Sequence, residues 1–333
     1  MKPLFYISIL LISLLSSCEE VIEVELPNPE GKLVIEGEIN SGLPAIVNLS
    51  HNMAYFDPID SASLSNIYIT DSNAVIVVSD DTDKDTLSLM PITKFPYIAY
   101  VGNRVIGQIG KTYKLSVEYE GKSYYASTTI PETAAFSSIW FEPKLMEDSL
   151  GFISFSLYDE ASTNNYYAVS SLVLGEQWWY YQPIFGLPVF DDILFNGDST
   201  IVTLPRSYAG NSFTSIYPDT EEGWDSLYYF RKGESISIRL STIDQEFYLW
   251  WNSLFRSSFT GSNPYSNPSS IISNIEGDPA LGVWGGYANT IANVRIAEDG
   301  KIEKLEFDEL LPELLPDSIM NLLDEFIENT SQE

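Results

Sequence analysis

The sequence predicts a mostly β protein: an immunoglobulin-like β-sandwich, then a second β-rich domain containing one amphipathic helix, then a C-terminal helix. Three observations carry this expectation. Short runs in which apolar and polar residues alternate recur from Lys32 to Ile296, and that period marks strands with one buried and one wet face. Turn-forming residues separate the runs at short intervals. Hydrophobic residues make up 44% of the 333, aromatics 14%, which is enough apolar surface for two cores.

The chain opens with a different signal. Lys2 precedes the apolar run Leu4–Leu15, and small residues lead to Cys18. Residues 1–17 therefore read as a signal peptide, too short to cross a bilayer of about 30 Å as a helix. Leu15-Ser16-Ser17-Cys18 resembles a bacterial lipobox. The resemblance implies cleavage before Cys18, the only cysteine, and its lipidation on sulfur. Acyl chains worth about 0.8 kcal/mol per buried methylene make a firm anchor when two or three are present. Residues 18–31, with Glu19, Glu20, Glu23, Glu25, Pro27 and Pro29, read as an extended acidic tether. Acids directly after the lipidated cysteine resemble the surface-export signal of Bacteroidota lipoproteins; a plain solvated linker is the other reading.

Residues 32–131 form the predicted sandwich. Strands are expected at Lys32–Ile39, Ala45–Ser50, Asn66–Thr70, Ala74–Ser79, Thr86–Met90, Thr112–Tyr119 and Ser123–Ile130. In the first, Leu33, Ile35, Gly37 and Ile39 share one face. Glu120-Gly121 joins the last two as a tight hairpin. Some seven strands in about 100 residues fit an immunoglobulin-like sandwich.

Residues 132–297 form the second domain, with strands at Ser138–Phe141, Gly151–Leu157, Tyr166–Leu174, Thr200–Leu204, Glu234–Ser241, Leu281–Ala288 and Ile291–Ile296. Thr242-Ile243-Asp244-Gln245 resembles a capping box. Phe247, Trp250, Trp251, Leu254 and Phe255 follow at helical spacing and predict a stripe buried in the core. Thr260–Asn274 is a long loop rich in Gly, Ser, Asn and Pro. In the extension 298–333, Ile319, Leu322, Leu323, Phe326 and Ile327 form a second helical stripe behind Pro316.

Charge and composition exclude whole classes of function. Seventeen basic against 47 acidic residues leave a formal charge of −30, which speaks against nucleic acid and anionic lipid as partners. One cysteine and one histidine rule out disulfide frameworks, cysteine-based zinc sites and any mechanism needing two histidines. No Gly-x-Ser-x-Gly elbow accompanies His51, and Gly102–Lys111 lacks Walker spacing. No catalytic residues and no cofactor are expected.

Three patterns remain as candidate sites. Asp81, Asp83 and Asp85 alternate as calcium ligands do, but the sixth loop position is Thr86 rather than Gly and Lys84 interrupts them. A solvated turn is the stronger reading. Trp178, Trp179, Tyr180 and Tyr181 either pack in a strand or stack on a planar ligand such as a sugar, and they are the leading ligand contacts. Asp followed by Ser or Thr and then a small or apolar residue resembles the O-glycosylation acceptor of Bacteroidota exported proteins. It recurs at Ser61, Thr86, Ser149, Ser199, Ser226 and Ser318; turns and helix caps favour the same pairs.

Several stretches together resemble a known family: Ser17-Cys18-Glu19-Glu20, Lys32-Leu33-Val34-Ile35-Glu36-Gly37, Ile109–Leu115 with Gly121–Pro131, Asp244–Tyr248, Asn263–Pro268, Ser273-Asn274-Ile275 and Gly282-Val283-Trp284-Gly285-Gly286-Tyr287. The chain resembles Bacteroidota surface lipoproteins known only as a domain of unknown function, whose genes lie beside those of TonB-dependent receptors. It departs from them at Glu276–Ala280 and in its longer tail. The resemblance implies a lipid-anchored outer-membrane protein facing the exterior, a non-catalytic accessory or ligand-binding partner of a TonB-dependent transporter. The alternative is a structural or adhesive surface scaffold.

Overall fold

The structure, a computed structural model, describes residues 31–52, 67–70, 73–91, 98–161, 163–175, 180–181, 189–206, 221–261 and 270–306. The expected signal peptide, Cys18, the expected tether and the expected C-terminal helix lie outside them, apart from Gly31. The strands of the first segment are β1 (Leu33–Asn40), β2 (Pro44–His51), β3 (Val75–Ser79), β4 (Lys84–Thr86), β5 (Ser88–Pro91), β6 (Ile98–Ile106), β7 (Thr112–Tyr119) and β8 (Lys122–Thr129). Then follow β9 (Phe136–Lys144), β10 (Glu147–Tyr158), β11 (Tyr166–Val173), β12 (Tyr180–Tyr181), β13 (Val189–Asp191), β14 (Ser199–Leu204) and helix α1 (Glu221–Tyr228). The chain continues through β15 (Phe230–Arg231), β16 (Ser235–Ile243), helix α2 (Gln245–Gly261), β17 (Glu276–Gly277), β18 (Ala280–Ile296) and β19 (Ile302–Lys304). The protein is mostly β, as its alternating sequence predicts.

A ten-stranded sheet runs β12-β11-β16-β18-β1-β2-β6-β5, with β13 beside β11 and β19 beside β18. A five-stranded sheet, β17-β8-β7-β3-β4, covers one half of it, and a four-stranded sheet, β14-β10-β15 with β9 beside β10, covers the other. The boundary expected at Pro131 marks where the first run of strands ends, yet β18 returns to complete the first sandwich. Its opening half pairs in parallel with β1, Leu33 opposite Ala280 through Asn40 opposite Tyr287. Its closing half pairs antiparallel with β16, Tyr287 opposite Ile243 through Arg295 opposite Ser235.

Strand periodicity lets β18 serve three cores. Trp284 and Ala288 enter the first core, Val294 and Ile296 the second, all on one face. Val283 and Tyr287 point the other way, into the cluster beneath α2. The sequence predicts two strands here, broken at Asn289-Thr290. The break does not occur because both polar side chains find lateral partners. Asn289 donates to Asn40 Oδ1 at 2.9 Å, and Thr290 donates to the Ala134 carbonyl at 2.5 Å.

Helix α2 buries the first part of the predicted stripe, while Leu254 and Phe255 are only half-buried. Phe247 and Trp250 pack on Ala168, Val189, Ile243, Val283 and Tyr287, with Trp251 half-buried beside them. Phe247 sits so close to β18 that a Cβ on Gly285 would come within 2.3 Å of its ring. The helix starts two residues later than the capping-box reading places it. Thr242 stays in β16 and accepts from the Ala134 amide at 3.0 Å, while Asp244 caps the helix by accepting from the Phe247 amide at 2.8 Å. The second Asp244 oxygen accepts from the Thr128 hydroxyl and, at 3.1 Å, from the Gly286 amide.

One carboxylate thus ties β8, β18 and α2 together, and its titration is linked to folding. Burial raises the Asp244 pKa from 3.8 to about 6, outweighing the three donors that favour its charged form. The folded state therefore binds this proton more tightly than the unfolded chain does. Its contribution to stability is fully present below pH 4 and is lost as pH rises through about 6, a swing of about 3 kcal/mol. Urea unfolding of the wild type and Asp244→Asn between pH 4 and 7 measures it. Their stability difference should change across that window; parallel curves would rule the linkage out.

Candidate functional site

Beyond α2, the outer face of the ten-stranded sheet is polar. Along β16, Ile236, Ile238 and Leu240 enter the second core, so the intervening Ser235, Ser237, Arg239 and Ser241 face outward. Each meets a partner directly across the sheet. Ser237 donates to Asn293 Oδ1 at 2.7 Å and Ser241 to Asn289 Oδ1 at 2.6 Å. Arg239 Nε donates to Ser170 Oγ on β11 at 3.0 Å, and Arg295 Nε to Ser235 Oγ at 3.1 Å. Ser170, Ser235, Ser237 and Ser241 are all at most 5% exposed. The result is a flat floor of small hydroxyls fixed between two arginines and two asparagines. Sequence reading places β16 but passes over this half of its alternation; Ser-x-Ser-x-Arg-x-Ser is the signal that reveals it.

The backbone of two of the expected aromatic contacts, Tyr180 and Tyr181, runs beside this floor. β12, Tyr180–Tyr181, pairs with Ser171 and Ser170 at the sheet edge. Trp178, Trp179 and the side chains of Tyr180 and Tyr181 lie outside the described residues. Where α2 crosses the sheet, Tyr248 stacks on Tyr166 with ring centroids 4.7 Å apart and donates to Asp191 Oδ2 at 2.8 Å. Burial, then the Asp191 carboxylate, pushes the Tyr248 phenol up to about 12. Behind it, buried Asp159 accepts from Tyr167 at 2.5 Å and from Asn165 at 3.0 Å, while buried Asp192 accepts from the Asn165 amide at 2.7 Å. Burial holds the Asp192 carboxyl above its usual range. These bonds fasten the turn after β13 to β11.

The structure does not bring Asp81, Asp83 and Asp85 together as calcium ligands. Asp80 closes the turn instead, accepting from the Thr82 and Asp83 amides at 2.7 Å each. Those bonds hold its carboxyl down at about 2. Asp83 lies 3.8 Å from Arg104. Asp85 points inward because β4 alternates, and its Oδ2 accepts from the amides of Asn103, Arg104 and Val105 at 2.7, 2.6 and 3.1 Å. Among the described residues no group of three metal-ligating side chains is arranged to hold an ion.

Of the candidate glycosylation positions, Thr86, Ser149 and Ser199 are exposed; Ser61, Ser318 and the side chain of Ser226 lie outside the described residues. His51 ends β2, its ring 6.4 Å from that of Tyr119.

No curated protein matches the chain. A family model does match it, over residues 19–291, from the residue after Cys18 into the shared strand β18. The chain belongs to the family described as Domain of unknown function (DUF4249).

Proposed function

We propose that this protein is an outer-membrane lipoprotein, anchored through acylated Cys18 and facing the cell exterior, that acts without catalysis as an accessory or ligand-binding partner of a TonB-dependent transporter. The observation that carries the binding reading is the floor formed by Ser170, Ser235, Ser237, Arg239, Ser241, Asn289, Asn293 and Arg295 beside the strand Tyr180–Tyr181. The buried serines hold Arg239, Asn289, Asn293 and Arg295 in place, and a ligand meets those half-buried groups already ordered. The lipobox-like Leu15–Cys18 and the acidic residues after it support the location. A formal charge of −30 suits a basic partner surface. No helix among the described residues is long and apolar enough to cross a membrane; this reading assigns attachment to the acyl chains.

Tagged protein pulled down from detergent-solubilised outer membranes of its native host tests the reading. A stoichiometric TonB-dependent receptor in the eluate is the expected result. Recovery of the lipoprotein alone in mild detergent would favour the scaffold alternative. Cys18→Ala should abolish acyl-chain incorporation and release the protein from the membrane fraction; continued sedimentation with membranes would defeat the anchor.

A further inference from the structure

The second sandwich is open along one seam. Among the described residues, β9 pairs only with β10, and β19 only with the end of β18. Between them lies a groove of about 440 Å³ lined by Phe136, Ile139, Val294, Ile302, Lys304 and Leu305. Phe136, Ile139 and Ile302 belong to the margin of the second core and are only partly buried. Lys304 stands opposite Val294, which points into that core, so the lysine projects over the groove.

We propose that residues 307–333 of this chain occupy the groove, seating Ile319, Leu322, Leu323, Phe326 and Ile327 against it and closing the second core. Position is the first argument. Leu305 and Glu306, where the described chain stops, themselves line the groove. The ten residues from 307 to 316 reach about 35 Å at most, so the stripe beyond Pro316 stays within range. Burial is the second. A stripe of five large apolar residues on a helix this short is not stable in water alone and needs a surface to cover it. Charge is the third. The segment carries eight acidic residues, Asp308, Glu309, Glu313, Asp317, Asp324, Glu325, Glu328 and Glu333, and no Lys or Arg. Lys304 gives the groove a cation with which one of these acids can pair, while Glu306 at the rim adds a like charge.

Cysteine pairing in the full mature chain with Cys18→Ser tests this. Lys304→Cys combined with Leu323→Cys should form an intramolecular disulfide under mild oxidation at least tenfold faster than Leu145→Cys with Leu323→Cys. Leu145, at the β9–β10 hairpin tip, is 86% exposed and outside the groove. A rate equal to this control overturns the proposal. So does a disulfide-linked dimer, which would place a second copy's tail in the groove. Hydrogen exchange gives an independent reading. Leu322→Asp with Leu323→Asp should speed exchange at least tenfold in residues 302–305 and leave 113–129 in the first core unchanged. Unchanged exchange at 302–305 refutes the docking, and the first-core amides report any global loss of fold.

Discussion

Replacing Trp284 by alanine should destabilise the protein by about 4–5 kcal/mol, at the upper end for aromatic truncations in a core. Trp284 is fully buried at the centre of the first core, on a strand that arrives from the far end of the chain. Its indole N–H crosses the sandwich to the Tyr113 carbonyl on β7 at 3.0 Å. Truncation therefore opens a cavity and removes the hydrogen bond that the indole makes across the sandwich. The backbone around it is fixed as well. Asn274 accepts from the Trp284 amide and donates to the Trp284 carbonyl, both at 2.9 Å. Gly37 opposite leaves room for the ring, since a Cβ there would lie 2.7 Å from it. Little can collapse into the void. Trp284→Phe keeps much of the volume and loses the hydrogen bond, so it should cost about 2–3 kcal/mol. Urea unfolding followed by circular dichroism measures both. An alanine variant within 1 kcal/mol of wild type would mean that β18 is not integral to the first core.

Much of this fold is legible in the sequence because period-two alternation is a local property. Strands β1, β2, β7, β8, β11 and β16 fall within a residue or two of their expected ends. What alternation cannot convey is which distant strand lies alongside. Leu33–Asn40 and Ala280–Tyr287 each read as strands with a buried face, and nothing in either names the other as its parallel neighbour. Residues that look like interruptions are misleading for a related reason. Asn289-Thr290 reads as a turn, and Gly102-Asn103 hides β6, because the partners that satisfy these groups lie far away along the chain. The helix cap shifts from Thr242 to Asp244 on the same account: Asp244 also answers Thr128 and Gly286. The polar floor was visible in Ser235–Ser241, but its significance depends on Ser170, Asn289 and Asn293 standing opposite, a matter of register.

Asp85→Ala should cost about 3–5 kcal/mol, since it strands several amides that a charged acceptor satisfies. The need for that acceptor arises in β6. Between Pro44 opposite Ile106 and Ile46 opposite Val101, the pairing of β2 with β6 slips, so β6 carries extra residues across this stretch. Such a bulge leaves amides without ladder partners. The amides of Asn103, Arg104 and Val105 turn to one Asp85 oxygen, and Asp85 itself is 2% exposed. Gly102 makes the approach possible, as a Cβ there would lie 2.7 Å from that oxygen. The single-oxygen geometry separates charge from hydrogen bonding. Asp85→Asn can place its carbonyl oxygen in the same position, keeping the acceptor and losing only the charge, so about 1–2 kcal/mol is expected. Asp81→Ala and Asp83→Ala, on exposed side chains of the same hairpin, should stay within about 0.5 kcal/mol. Calorimetric unfolding of the four variants checks the ranking. If Asp85→Ala proved as mild as Asp81→Ala, the bulge would be held by packing alone. If calcium stabilised the wild type and the loss of Asp81 or Asp83 abolished that effect, the hairpin would be an ion site after all, and the inward turn of Asp85 would be wrong.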